Sequence, residues 1–156
     1  MKLWTALYLM IWVVLLEFLL AMTPRAPDFL LYLHILFGIV IIGLAYYNFN
    51  GVRNTAVPAR VKRVAKASFD LSVAMAILGL LLVFGIGRDW TILFGVTVGG
   101  LILFVHVVNA FAIITQAAAV AIAYDMWEDR EFAKETTPGE VPVRPPTSAG
   151  AIAPKS

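Results

Sequence analysis

The sequence predicts an all-α integral membrane protein, a four-helix up-down bundle with its N and C termini on the cytoplasmic side. Three observations predict it. Of the 156 residues, 61% are hydrophobic and 14% charged, against about a quarter charged in an ordinary soluble domain, and the mean hydropathy is +0.86. The charges leave four long apolar stretches almost untouched, and a bilayer-spanning helix needs about 20 such residues. The Lys and Arg residues then gather at alternate breaks between those stretches, as the positive-inside rule requires of an even number of spans.

The first span covers about residues 3–22, LWTALYLMIWVVLLEFLLAM, with Glu17 its one charge. Lys2 ahead of it gives a signal-peptide-like start, but an apolar run of about 20 residues exceeds a secretory h-region, so it is read as a span. Thr23-Pro24-Arg25-Ala26-Pro27-Asp28 holds two prolines that end one helix and begin the next. The second span covers about residues 29–49, with Asn48, Asn50 and Gly51 as stop and turn residues. A basic loop from Val52 to about Lys66 follows, with Arg53, Arg60, Lys62, Arg63 and Lys66 and no acid. The third span covers about residues 67–86, and Gly87-Arg88-Asp89-Trp90 is a short turn. The apolar run 91–124 is the fourth span. As a helix it would be about 50 Å long against a hydrocarbon core of about 30 Å, so it tilts and projects or its first turns lie in the outer interface. Residues 1–124 thus form the transmembrane domain, and 125–156 a charged and then Pro-rich cytoplasmic tail whose composition is that of an extended segment ordered by a partner. The place is a cell membrane, crossed several times, with the lipid bilayer as the first partner and other membrane subunits or a homo-oligomer as the next.

Composition excludes several chemistries. With no cysteine there are no disulfides, thiolate metal sites, iron–sulfur clusters or covalent c-type haem. No arginine-rich arm or aromatic RNP pattern marks a nucleic-acid partner.

The two histidines, His34 in LLYLHILFG and His106 in LILFVHVVNAF, both lie inside apolar spans, where a polar side chain is costly and faces the bundle interior. Their flanks match: Tyr32-Leu33-His34-Ile35-Leu36 against Phe104-Val105-His106-Val107-Val108, a weak repeat of a two-helix unit. The second and fourth spans are parallel in this topology. His34 lies ~9 Å in from Asp28, and His106 reaches the same depth if its span begins near Gly99-Gly100. Gly38 follows His34 by four residues, Gly99 precedes His106 by seven and Ala110 follows it by four, so small residues share the histidine faces. That clearance suits a flat macrocycle between the helices, and equally suits close helix packing.

Two imidazoles from two helices are a common way to hold a b-type haem, one on each side of the iron. Zinc would want three or four N/S ligands. The expected site is therefore one haem b with His34 and His106 as metal ligands and Gly38, Gly99 and Ala110 lining it. Glu17, ~9 Å from the same end as His34, is the candidate proton or quinol contact. Asp70, with Lys66 at i−4, reads as a structural ion pair. Asn109, Thr115 and Gln116 read as interhelical hydrogen-bonding residues, and Trp4, Tyr46, Tyr47, Trp90, Tyr124 and Trp127 as an aromatic belt.

A four-helix unit with one such histidine on its second helix and one on its fourth resembles half of a haem A synthase, a family of eight helices in two units with compact four-helix members. The resemblance covers roughly residues 3–124 and implies axial-ligand roles for His34 and His106. The family's substrate half carries a Glu three residues before its second-helix histidine and often an Arg just after it. Leu31 and Ile35 stand at those positions, so the chain looks more like the cofactor-binding half.

The expected function is a membrane b-type cytochrome subunit, carrying electrons in a respiratory or quinol-linked complex and not acting as an enzyme by itself. Two other readings stand beside it: a cofactor-free structural subunit of a membrane complex, and a haem A synthase-like enzyme.

Overall fold

A computed structural model of the chain describes residues 1–23 and 28–135. Four helices carry the fold: α1 (Leu3–Ala21), α2 (Asp28–Arg53), α3 (Ala59–Val83) and α4 (Val98–Glu135), with strands β1 (Thr91–Leu93) and β2 (Val96–Thr97) between the last two. All four helices are long and apolar enough to cross a membrane. Their sequences are rich in Ala, Leu, Ile and Val on every side, and a helix apolar all round is one that lipid or protein must cover.

Each helix packs against two neighbours: α1 on α2, α2 on α3, α3 on α4, and α4 back on α1. This closes a square in which α2 and α4 stand on a diagonal. Neighbours run antiparallel. Tyr8 of α1 meets Asp125 near the far end of α4, whereas Phe18 packs against Phe111, ring centres 5.0 Å apart and tilted by 58°. One end of the bundle carries the α2–α3 turn and its cations, and is called here the basic end. The other carries the β-hairpin.

Four boundaries differ from the sequence expectation. The second helix continues past Asn48 and Asn50 to Arg53. Asn48 is buried and donates from Nδ2 to the Ala6 carbonyl at 3.3 Å and to Met10 Sδ at 3.4 Å, so its amide ties α1 to α2 and no longer competes with its own backbone. Gly51 lies where α1 crosses, and a Cβ there would stand 2.5 Å from Leu3 Cδ1. The third helix begins at Ala59, so Arg60, Lys62, Arg63 and Lys66 sit on its first turns and not in a loop. Arg and Lys are good helix formers, and Lys62 Nζ donates to the Arg53 carbonyl at 3.0 Å, capping the end of α2.

The run 91–124 is the third difference. Its first seven residues form a hairpin, and the helix starts at Val98. The third helix ends at Val83 in a Schellman arrangement. Gly85, at φ 68°, donates to the Leu82 carbonyl, and Ile86 donates to that of Leu81. Phe94 and Gly95 both have positive φ, 52° and 79°, as a two-residue hairpin turn of the primed type demands. The start of α4 is then satisfied from the turn: Val98 N–H donates to the Trp90 carbonyl, Gly99 N–H to that of Gly87, and Gly100 N–H to Thr97 Oγ1. At its other end α4 extends through the charged residues to Glu135. Asp125, expected to open the tail, is helical and accepts the Tyr8 hydroxyl. The Pro24–Pro27 turn and the Pro-rich tail beyond residue 135 lie outside the described residues.

The core is uneven. Leu7, Val52, Ala65, Val120 and Ala121 form one buried cluster, and Met10, Val14, Ile41, Ala45, Ile113 and Ala117 belong to the next. Both sit in the basic half. In the hairpin half, no residue of 29–40, 73–83 or 98–108 is buried. Glu17, Ser72 and Asn109 mark the boundary between the packed and the open half.

Candidate functional site

The hairpin half is where the two histidines meet. The rings of His34 and His106 come from the diagonal helices α2 and α4 and stand with centroids 6.2 Å apart, tilted by 51°. The depth match follows from the helix start. With α4 beginning at Val98, His106 is eight residues in, and His34 is six residues into α2. Had the hairpin residues been helical, the two would have been offset by about two turns.

Each ring is held by a different neighbour. His34 Nδ1 lies 2.7 Å from Glu17 Oε1 of α1. The contact falls off the line of the ring N–H and is a close carboxyl–imidazole contact more than an aligned hydrogen bond. Glu17 is 7% exposed, and its other oxygen, Oε2, has no hydrogen-bond partner among the described residues. His106 rests on α3. A Cβ on Gly79 would stand 3.2 Å from His106 Cε1 and 3.9 Å from Nδ1, so the absent side chain is what admits the ring. His106 Nδ1 is buried and makes no aligned hydrogen bond among the described residues, and the Met75 backbone of α3 lies beside the ring. One turn below, Asn109 Nδ2 donates to the Leu71 carbonyl at 2.9 Å and locks α4 to α3.

The structure sorts the other residues singled out from sequence. Gly38 is half-buried, and a Cβ on it would meet nothing within 4 Å among the described residues, so space lies open on that side of α2. Ala110 is half-buried on α4. Gly99 is placed differently from the expectation. A Cβ there would come 3.2 Å from Arg88 Cα, so its small size lets the start of α4 lie against the Gly87–Arg88 turn and does not make room beside His106. It also borders an open groove of about 470 Å³ with Arg88, Thr97 and Leu103. Asp70 pairs with Lys66 at 2.6 Å on the exposed face of α3. Thr115 bonds to the carbonyl of Phe111 within its own helix, so it does not bridge helices.

Two residues escaped the sequence reading. Gly79 gave a signal only as one small residue among many in an apolar span. Asn48 was legible as polar, but its burial depends on where α1 crosses.

Among the described residues no three or more His, Cys, Asp or Glu side chains group together to hold a metal ion. The donor set is thus a pair of imidazoles from opposite sides. Opposed ligation of one metal by two imidazoles, with bonds of about 2 Å, puts their ring centres roughly 6 Å apart, which the observed 6.2 Å meets. The ring spacing and the open space beside Gly38 fit a metal-centred cofactor held between the two imidazoles. No family model, curated protein or solved structure matches the chain.

Proposed function

We propose that the chain is a b-type cytochrome subunit that crosses a cell membrane four times, with both termini and the basic end on the cytoplasmic side and the histidine pair in the outer half. The orientation rests on the five cations between the second and third apolar spans against one, Arg88, between the third and fourth. The cofactor rests on one observation: two imidazoles from diagonal helices 6.2 Å apart.

His34 and His106 are the residues that would hold the haem. Bound there, the group supplies one-electron redox chemistry within the membrane. The chain's own work is to fix the two rings at one depth, through the hairpin that sets the start of α4 and through Gly79 and Glu17 beside the rings. Both faces occupied suits electron transfer, with quinol or a larger respiratory complex as the partner, and does not suit substrate activation.

Purified in detergent from cells supplied with haem, the protein is expected to show a Soret band and, on reduction, a sharp α band. His34→Ala and His106→Ala each abolish or displace both. A colourless, fully helical preparation would refute the proposal.

One observation favours the second reading, a cofactor-free structural subunit. Trp90, Ile92 and Phe94 at the hairpin are 67%, 57% and 94% exposed, an apolar tip that a partner subunit would cover. Copurification of a larger complex that tolerates Leu at both histidines would decide for it. The synthase reading lacks its acid, since the position three before His34 holds Leu31, an exposed residue.

A further inference from the structure

Glu17 is a buried carboxyl on α1. Apart from it α1 offers an apolar face to the core, with Val14 and Met10 buried one and two turns away. A carboxyl buried among such residues costs stability relative to an aliphatic side chain of similar size unless its oxygens are well partnered. Here one oxygen has a single partner, His34, and the other has none among the described residues. Asn48, equally buried, also leaves one oxygen, Oδ1, without a partner among the described residues, but its amide stitches α1 to α2 through a backbone carbonyl. Asn48 thus ties two helices together, whereas the polar contact of Glu17 is to a candidate metal ligand.

We infer that Glu17 is the positioning residue of His34: its Oε1, 2.7 Å from Nδ1, is placed to accept the Nδ1–H after a small turn of the ring and thereby fixes the tautomer in which Nε2 carries the lone pair. This deepens the haem proposal and rests on it. A neutral imidazole has one N–H and one acceptor nitrogen, and whatever binds the N–H decides which nitrogen can reach a metal. A ring held by a carboxyl is also a stronger donor, because negative charge is pushed toward the ligating nitrogen. The contact comes from a third helix, α1, so the ring is braced sideways against a neighbour and is not left to its own rotamers. His106 has the Met75 backbone beside it in place of a carboxyl. The two rings are therefore held unequally, and His34 would be the stronger donor.

The test uses the full chain in detergent, loaded with haem, as wild type, Glu17→Leu, Glu17→Gln and Asn48→Leu. The readouts are the rate of haem loss to excess apomyoglobin and the low-spin EPR g values, which report the axial field of the two imidazoles. Loss of such a partner typically costs ten- to a hundredfold in metal affinity. Glu17→Leu is expected to lose haem about 10–100-fold faster, with displaced g values. Glu17→Gln keeps an acceptor oxygen but not the carboxyl, so it retains haem far better than the Leu variant while its g values still move. Asn48→Leu removes an equally buried polar group away from the histidines and leaves both readouts unchanged. A Glu17→Leu protein that matches wild type overturns the inference, as does an Asn48→Leu protein that behaves like Glu17→Leu. Should Glu17→Leu fail to fold, unchanged g values in Glu17→Gln overturn it equally, and displaced ones support it. A colourless wild type defeats the haem proposal and this inference together, whereas a haem-loaded wild type with indifferent Glu17 variants defeats this inference alone.

Discussion

Gly79 is the point at which a small perturbation separates the histidine site from the bundle that carries it. A Cβ at this position would stand 3.2 Å from His106 Cε1 and 3.9 Å from Nδ1, and carbon atoms rest at about 3.5–4.0 Å. Gly79→Ala therefore asks the ring to move by a few tenths of an ångström. Positional tolerance at a working site is about 0.5 Å, so alanine falls just inside it. Driving the ring off its rotamer costs about 0.5–1.5 kcal/mol, which weakens haem binding roughly 2- to 12-fold. The same change raises helix propensity in α3 by up to ~1 kcal/mol, so the haem-free protein is as stable as before or more so. Gly79→Val carries its γ carbons further into the ring and is expected to leave the protein helical and unloaded. Haem content by pyridine haemochrome and thermal unfolding by circular dichroism, measured side by side, separate the two effects. A Gly79→Val protein with wild-type haem content and spectrum would refute the reasoning, because His106 would then not be resting on α3.

Other expectations follow from the turn and the surface. Gly87 has φ 73°, and a Cβ on it would lie 2.6 Å from Val98 Cγ1. Gly87→Ala combines a left-handed cost of about 1–2 kcal/mol with overpacking of about 1–3 kcal/mol. Gly85 has φ 68° with nothing within 4 Å of its Cβ position among the described residues, so Gly85→Ala bears the first cost alone; unfolding midpoints of the two variants in one detergent should rank accordingly. Asp70→Asn removes an exposed i,i+4 pair with Lys66 worth about 0.3–0.5 kcal/mol, and is expected to change neither haem content nor spectrum; a changed spectrum would link that pair to the site.

The number of apolar helices and the identity of the polar residues inside them were legible in the sequence because both depend on composition along one chain. Glu17, His34 and His106 stand out there as ionisable groups where lipid or protein must surround them. The boundaries were less legible. Asn48 and Asn50 look like stop residues until α1 gives Asn48 an acceptor, and Arg60 to Lys66 look like a loop although their propensities favour helix. The run from Thr91 shows no charge to divide it. The division comes instead from Gly85, Gly87 and Gly95, whose positive φ values build the turn and hairpin, and those glycines read as ordinary small residues in an apolar segment. The expected role of Gly99 failed for the same reason: its neighbour is the Gly87–Arg88 turn, which exists only once the hairpin has formed. That Glu17 and His34 touch is a matter of helix rotation, which hydropathy that is high on every face does not encode.

The open half of the bundle is the feature that any account of this protein must explain, and small residues make it more pointed. In membranes such residues normally bring backbones together. Gly51 at the basic end does so, with α1 against its face. Gly38, one turn past His34, does not, since no described atom lies within 4 Å of where its Cβ would be. In the hairpin half no residue of 29–40, 73–83 or 98–108 is fully buried, and three ionisable side chains stand at its inner edge. A cofactor that fills it should therefore stabilise that half selectively, because a ligand bound only to the native state protects what it touches. Hydrogen exchange in detergent tests this. His34→Ala, haem-free, should exchange faster than wild type over residues 29–40 and 98–108, and at the wild-type rate over 41–52 and 109–124, where both buried clusters lie. Uniform acceleration along all four helices would mean that the two halves are one cooperative unit, and that the open half owes its order to the packed one and not to anything bound between the histidines.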